Sequence, residues 1–369
     1  EARLPTMPVD DRPLVLQFLL DPRLGGPHVR IWTVAEAIKD EFETVVVTCG
    51  QSERATYTIA NLRTIHNLLY GAEIALNAAL IPMKLARVCR ERLVVLHVNG
   101  PLNIAPLVAA RVLDVPVVWH FNDTYAMLPV LTRIGFKLLE GGRWQPAATT
   151  PDVARVYGLQ GATVLFAPID MDFWSRGKAR GQGEFFSPGT TLKVAMVANL
   201  NPVKAHDVVL DALGMLEAGI EVAVIGAELE TQRAYSRLLH AHPSVSRMRF
   251  LGKQPRETVR ELLAACDVFI MPSRSESQSL SLAEAMAMGC LCISSDFIGV
   301  ENFIPSDEAL VVQRENPKAL AQALLEVAAM PEAVRQGYRH RARDKARERY
   351  SVDSAAQAHR QMYSALLKY

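Results

Sequence analysis

Apolar and polar positions alternate in blocks along the first half of this chain, and the blocks predict strands and helices in turn. Short continuous apolar runs predict buried strands, whereas longer stretches with apolar residues every three or four positions predict helices. Strands are predicted at Leu14–Leu20, Thr44–Thr48, Leu93–Val98, Val115–Phe121 and Ala162–Phe166. Helices are predicted at His28–Lys39, Ile81–Arg90 and Ile104–Leu113, while residues 53–80 carry no clear pattern.

A second alternating series follows Asp170–Thr191, a segment rich in glycine, serine and charge that predicts an interdomain connection or a surface loop. Its strands are predicted at Leu192–Ala198, Ile220–Gly226, Met248–Leu251, Asp267–Met271, Cys290–Ser294 and Ala309–Val312. Its helices are predicted at Ala205–Leu216, Thr231–His240, Pro317–Ala329, Pro331–Arg349 and Asp353–Leu367. Such alternation is typical of parallel sheets, so we expect an α/β protein with two Rossmann-like, doubly wound domains facing a central cleft.

Composition narrows the classes of function. The chain has 369 residues, enough for two domains, and a formal charge of +1, so no overall field favours nucleic acid. Five cysteines without metal-ligand spacing argue against a disulfide framework and a zinc site. We find no export signal and no apolar stretch long enough to span a membrane, and therefore expect a cytoplasmic protein.

The segment from Pro272 to Gly289 is the most informative in the chain, because it joins a predicted strand to a polar loop and then to an apolar helix. A helix start offers unpaired backbone N–H groups and the positive end of the dipole, which suit a phosphate. Glu276 on the loop and Glu284 on the helix would instead accept hydrogen bonds from hydroxyl groups. Together they predict a pocket for a nucleotide sugar.

Lys204 follows the first strand of the second series, where its ammonium group would neutralise a diphosphate. Asn199 and Asn201 precede it and would donate further hydrogen bonds. The alternative is a solvated lysine at a helix start. Because a helix start is unfavourable for a cation, the functional interpretation is preferred.

Two further candidates come from the first series. Gly25 and Gly26 open a helix soon after the first strand, and glycines there allow close approach of a phosphate or sugar, although a plain turn explains them equally well. His120 and Asn122 share a face at the end of a predicted strand. For His120 considered alone, a structural, hydrogen-bonded histidine is the preferred interpretation.

The stretch Arg335–Arg349 carries seven basic residues against two acidic ones. Peripheral contact with an anionic membrane is one interpretation of this stretch, and a solvated helix face is the preferred one.

These motifs together resemble the retaining GT-B glycosyltransferases of the large family four, most strongly over Leu192–Ile304. Pro272–Gly289 is similar to that family's E-x7-E signature, and Val197–Lys204 resembles its basic diphosphate clamp. Ala167–Asp170 resembles its interdomain element, and the last helix resembles the one that crosses back onto the N-terminal domain. The resemblance implies an N-terminal acceptor domain over residues 1–185, a donor domain over 186–350, and a returning helix over 351–369.

The resemblance also implies roles for individual residues. Glu276 would contact the donor sugar, Glu284 the ribose, and the backbone of Ser279, Leu280 and Ser281 the diphosphate. The predicted catalytic residues are Glu276, His120 and Lys204. Asn199 and Asn201 complete the donor site, while Gly25, Gly26 and Asn122 form a phosphate or acceptor loop.

The chain departs from the family pattern at three places. Asparagines at 199 and 201 stand where the clamp arginine is common, and Ser277 and Ser279 replace glycines after the first glutamate. The expected histidine aligns with Asn122, and His120 lies two residues earlier.

The expected activity is transfer of a sugar from a nucleoside diphosphate sugar to a hydroxyl of a saccharide or lipid-linked acceptor, with retention and without a metal or cofactor. The alternatives are a sugar-nucleotide epimerase, a non-catalytic sugar-nucleotide-binding protein, and a two-lobed solute-binding protein.

Overall fold

The computed structural model describes residues 11–19, 26–49, 57–59, 70–122, 129–174, 185–297 and 309–368. The chain divides into two compact units, one formed by residues 1–168 with 352–369 and the other by residues 169–351. Each unit is a parallel sheet with helices on its faces, which confirms the predicted α/β class. In these described ranges, no helix has both the length and the apolar character needed to cross a bilayer.

The first unit, unit 1, contains a seven-stranded sheet. Its strands are β1 Leu14–Leu19, β2 Glu43–Cys49, β3 Tyr57–Ile59, β4 Val94–Asn99, β5 Val117–Phe121, β6 Trp144–Ala148 and β7 Thr163–Val164. They lie in the order β3-β2-β1-β4-β5-β6-β7, all parallel. The order reverses between β1 and β4, and ligands of doubly wound sheets bind at such a switch point.

Six helices of unit 1 lie between these strands in the chain. They are α1 Gly26–Ala37, α2 Tyr70–Leu85, α3 Val88–Glu91, α4 Ala105–Leu113, α5 Pro129–Leu139 and α6 Pro151–Val156. Ile81 of α2, Leu107 of α4 and Leu139 of α5 share an apolar cluster with Leu16 and Trp119 of the sheet. Burial of this face, rather than the propensity of any one helix, is what stabilises the layer.

The second unit, unit 2, contains a six-stranded parallel sheet in the order β10-β9-β8-β11-β12-β13. Its strands are β8 Leu192–Val197, β9 Ile220–Ile225, β10 Met248–Phe250, β11 Val268–Met271, β12 Leu291–Ser295 and β13 Leu310–Val312. Its helices are α7 His206–Gly214, α8 Arg233–His240, α9 Arg256–Ala265, α10 Leu280–Ala287, α11 Pro317–Ala329 and α12 Glu332–Tyr350.

The last helix, α13 Val352–Leu367, belongs to unit 1. Its residues Ala355, Met362 and Tyr363 pack with Val15 and Val118 on the face of the sheet opposite α4. The sequence therefore returns to its first unit after completing the second.

The division between the units lies at 168/169, whereas the sequence suggested 185/186. The difference arises because residues 169–174 attach to unit 2. Ile169 pairs with Ser351, and the Phe173 ring lies 3.6 Å from the guanidinium carbon of Arg256 on α9. The second division, at 351/352, is one residue from the expected 350/351.

Candidate functional site

The sequence signature of unit 2 lies where two neighbouring strands end. β8 and β11 are hydrogen-bonded neighbours in the centre of the sheet. The segments that leave their carboxyl ends, residues 198–205 and 272–279, are therefore brought side by side. Ligands of parallel sheets bind at this edge.

Lys204 and Glu276 meet at this edge although 72 residues separate them. The Lys204 Nζ atom lies 2.6 Å from Glu276 Oε1, and the side chains are 30% and 7% exposed. The Ser273 hydroxyl donates to the same oxygen at 2.7 Å. Both bonds fall on Oε1, which leaves the second carboxylate oxygen, Oε2, for a donor such as a sugar hydroxyl.

The start of α10 lies at the end of the same loop. Ser279 caps the helix, because its hydroxyl accepts from the backbone N–H of Leu282 at 3.3 Å. In the part of the chain that the structure describes, the backbone N–H groups of Leu280 and Ser281 have no hydrogen-bond acceptor. Two free donors at the positive end of a helix dipole can hold an anionic oxygen.

Glu284 lies on α10 among the buried residues Ala283, Ala285 and Met286, so the prediction of an apolar helix is confirmed. Burial raises the pKa of its carboxyl group to about 7, while the charge of Arg256 acts in the opposite direction. A carboxylate in such surroundings gains from a hydrogen-bond donor.

The side-chain oxygens of Asn199 and Asn201 hold the loop before Lys204 in shape. The Asn199 oxygen accepts from the Ala227 backbone N–H at 2.8 Å, and the Asn201 oxygen accepts from the Val203 N–H at 2.9 Å. Their donor role therefore depends on the amide nitrogens alone.

Arg274 belongs to this site but was missed in the sequence. Its guanidinium group donates to the Pro202 carbonyl oxygen and to both carboxylate oxygens of Asp207, at 3.1 and 2.8 Å. Its backbone N–H donates to the Val203 carbonyl at 2.7 Å. Arg274 thereby fastens the glutamate loop to the lysine loop. Its position two residues before Glu276 was the one signal in the sequence for a role at the site. The signal was not enough, because the partners of Arg274 are distant in the sequence.

The predicted residues of unit 1 fall near the carboxyl ends of β4 and β5. Gly26 is the first residue of α1, and Gly25 lies outside the described residues. His120 is fully buried in this structure. Asn122 directly follows β5 and is partly exposed.

A buried arginine, missed in the sequence, joins these two residues. Arg30 is 4% exposed, and its Nη1 atom lies 3.3 Å from His120 Nε2 and 3.1 Å from Asn122 Oδ1. Its Nη2 atom donates to Asn99 Oδ1 at 2.7 Å. Burial lowers the pKa of Arg30 to about 10, so the group stays charged at neutral pH.

The basic stretch is α12, and it is not one continuous basic surface. Arg339 is 9% exposed and donates to Glu332, while the Arg343 guanidinium packs against Gly289. Among the arginines, 341 and 347 remain exposed. This favours a helix that is buried on one side and solvated on the other, and membrane contact stays a prediction.

Comparison with known proteins finds a family model that matches part of this chain. Residues 181–349, most of unit 2, match the family model described as glycosyl transferases group 1. The D-inositol 3-phosphate glycosyltransferase of Mycobacteroides abscessus is 32% identical over 119 residues, which are 31% of this chain and 27% of that protein. The glycogen synthase of Deinococcus deserti is 27% identical over 185 residues, 50% of this chain and 38% of that protein. The chain thus matches well under half the length of these curated relatives.

Solved structures extend the likeness to the whole chain. The crystal structure of Anabaena HepE in complex with UDP and glucose superimposes with a TM-score of 0.76 over 95% of this chain and 99% of that chain, at 16% identity. This shows the fold, and the predicted GT-B architecture of two Rossmann-like units is confirmed. Assignment to family four stays a prediction.

Proposed function

We propose that this chain transfers a sugar from a nucleoside diphosphate sugar to an acceptor hydroxyl, with retention of anomeric configuration. The observation that carries the proposal is the meeting of Lys204, Glu276 and the free N–H groups at the start of α10. This arrangement places donors for phosphate beside an acceptor for hydroxyls. Its support comes from the family match of unit 2 and from a solved neighbour bound to UDP and glucose.

The residues of unit 2 suit the departure of a diphosphate. Negative charge builds on the leaving phosphate oxygen as the glycosidic bond to the anomeric carbon breaks. Lys204 and the N–H groups of Leu280 and Ser281 would stabilise that charge. The same phosphate oxygen takes the proton of the acceptor hydroxyl as the new bond forms on the same face, so the scheme uses no side-chain base, metal or cofactor.

Glu276 and Glu284 would hold the two ends of the donor. Glu276 Oε2 would accept from a hydroxyl of the sugar, and Glu284 from the ribose. Among the described residues, the Lys204 ammonium group donates to Glu276 alone, so two of its three donors remain for a diphosphate while it binds the carboxylate. The acceptor, a saccharide or a lipid-linked saccharide, would meet unit 1.

The first test is binding. Thermal-shift measurements with UDP, GDP and ADP and their hexose conjugates would identify the base, because a ligand at 100 times its Kd stabilises a protein by about 2.7 kcal/mol. We expect one nucleotide series to shift the melting temperature, and Glu284→Gln and Lys204→Met to reduce the shift. Lys318→Met on the exposed end of α11 is the matched control. No shift with any nucleotide would contradict the proposal.

The second test is chemistry. With the identified donor and a panel of saccharide acceptors, a new glycoside with the donor's anomeric configuration would support the proposal. An isomerised sugar nucleotide would instead indicate an epimerase. Binding without product, unaffected by Glu276→Gln, would indicate a non-catalytic sensor. Glu230→Gln is the control variant, because that carboxylate is 90% exposed.

A further inference from the structure

The outward side of helix α2 is apolar although it is exposed to solvent. Met83 is 75% exposed, the largest value among the described large apolar side chains, and Leu76 is 46% exposed. Ala79 lies between them and is exposed as well. Spacings of three, four and seven residues place these three side chains on one side of a helix. We call Leu76, Ala79 and Met83 the α2 stripe.

The opposite side of α2 packs inside unit 1. Ile81 and Leu85 are at most 3% exposed and belong to the apolar cluster that includes the sheet and α4. Within residues 74–85, Lys84 is the one charged residue. A helix that is apolar all round is ordinarily buried all round, because apolar surface gains free energy on leaving water. Packing within unit 1 therefore accounts for one side of α2 and leaves the stripe unexplained.

Basic side chains follow the stripe directly. Arg87 and Arg90 are exposed and lie four and seven residues after Met83. The backbone stays helical between α2 and α3, because the Ala86 N–H donates to the Pro82 carbonyl oxygen at 2.9 Å. The spacing therefore continues the stripe into these two arginines.

A solvated helix end would account for the arginines taken alone. Arg87 forms a surface ion pair with Glu91 at 2.9 Å, and cations suit the C-terminal end of a helix. Residues 84–91 nevertheless carry three basic side chains, Lys84, Arg87 and Arg90, against this one acid. An excess of positive charge beside exposed apolar side chains matches an anionic bilayer, in which hydrocarbon lies beneath a layer of phosphate groups.

We propose that the α2 stripe docks unit 1 on an anionic lipid bilayer, with Leu76 and Met83 entering the acyl boundary and Arg87 and Arg90 binding lipid phosphate groups. The helix lies along the bilayer surface, because its other side stays packed on the sheet. The proposal goes beyond the transfer reaction and does not rest on it, since bilayer binding requires neither a donor nor an acceptor.

Vesicle flotation with the full chain tests the proposal directly. We expect binding to phosphatidylcholine vesicles that contain about 30% phosphatidylglycerol, and binding at least about tenfold weaker to vesicles of phosphatidylcholine alone. Added salt should weaken binding to the anionic vesicles, because it screens the basic groups. No binding to the anionic vesicles, or equal binding to both kinds, would overturn the proposal.

Met83→Asp tests the apolar part of the surface. The variant should keep the melting temperature of the wild type, because the side chain is so exposed, and should lose about tenfold or more in vesicle affinity. Leu325→Asp on α11 of unit 2 is the matched control, since Leu325 is 47% exposed, and it should bind vesicles as the wild type does. Unchanged vesicle affinity of Met83→Asp would contradict the proposal.

Arg87→Gln combined with Arg90→Gln tests the basic part. Removal of two charges should weaken binding to the anionic vesicles about 30-fold. Arg341→Gln combined with Arg347→Gln removes the same charge from the exposed side of α12 and should leave binding unchanged. The reverse result, with binding lost in the α12 variant alone, would overturn the proposal and place the contact on α12.

A second copy of the chain is the other occupant that an apolar stripe would accept. Sedimentation velocity of the wild type and of Met83→Asp, both without lipid, distinguishes the two. We expect the same oligomeric state in both proteins. A wild-type dimer that Met83→Asp dissociates would show that the stripe binds another copy, and this result would also overturn the proposal.

Discussion

At the scale of single residues, the two glutamates of the signature are held in opposite ways. Glu276 is paired with a lysine and accepts a hydrogen bond from a serine hydroxyl, whereas Glu284 is partly buried among apolar neighbours. The sequence predicted the buried environment of Glu284 from the apolar character of α10. It did not predict the ion pair of Glu276, because the partner is far away in the chain.

Glu284→Gln should stabilise the protein at alkaline pH. The folded pKa, about 7, is raised from the usual 4.5, so the folded state binds a proton that the unfolded chain has released. The stability of the wild type therefore falls as pH rises from 4.5 through 7. We expect the variant to match the wild type near pH 4.5 and to exceed it by about 2 kcal/mol at pH 8, after allowance for screening. Urea unfolding at the two pH values measures the difference, and an equal gap at both would contradict it.

Lys204→Met should destabilise unit 2 more than Glu276→Gln does. The lysine variant leaves a carboxylate that is 7% exposed without its cation, whereas the glutamine variant leaves an ammonium group that is 30% exposed and can be hydrated. An unpaired buried polar group costs about 1–3 kcal/mol. Chemical unfolding of both variants, with Lys318→Met as control, measures the two losses of unfolding free energy. Equal losses would contradict the prediction.

At the scale of elements, the strands of unit 2 were predicted within one residue at most ends, because continuous apolar runs mark buried parallel strands. Five of the described elements were missed: β3, α5, β6, α6 and α9. The β6 sequence contains Pro146, which argues against an interior strand, although β6 pairs on both sides. Helix α2 begins at Tyr70 rather than Ile81, and Pro82 inside it obscures the pattern.

The close approach of loops at the site could not be predicted from the sequence either. Gly226 is an example, because a Cβ atom at this position would lie 1.9 Å from the Ala198 carbonyl oxygen. That contact joins the ends of β8 and β9, which are neighbours only once the sheet has formed. Such contacts depend on strand order, which a single sequence does not reveal.

Arg274→Ala should separate the two loops of the donor site. Arg274 forms bonds to Pro202 and Asp207, and a smaller side chain leaves the Asp207 carboxylate with Tyr235 as its remaining side-chain donor among the described residues. We expect nucleotide affinity to fall about tenfold, or about 1.4 kcal/mol. Arg274→Lys should restore part of it, since an ammonium group cannot reproduce the two-pronged geometry. Titration calorimetry with the identified nucleotide measures both variants, and an unchanged affinity for alanine would contradict the role.

At the scale of the whole molecule, buried neutral histidines make the stability of the fold depend on pH. Among the residues whose side chains the structure describes, three of them, His97, His120 and His359, lie in unit 1, and His206 lies in unit 2. Burial lowers the pKa of His206 and of His359 to about 4, and holds the pKa of the other two well below the usual value. The described histidines of unit 1 thus give that unit more acid-sensitive groups than unit 2.

The protein should therefore lose stability in mild acid, and unit 1 should lose more than unit 2. Between pH 6.5 and about 4 the unfolded chain binds protons on imidazoles that stay neutral in the folded state, so stability falls as pH drops. Each histidine contributes at most about 1.4 kcal/mol per pH unit, and the described part of the chain has three such histidines in unit 1 and one in unit 2. Hydrogen exchange at pH 7 and 5 measures the two units separately. We expect amides of β4 and β5 to lose more protection than amides of β8 and β11. Equal losses of protection in the two units would contradict the prediction.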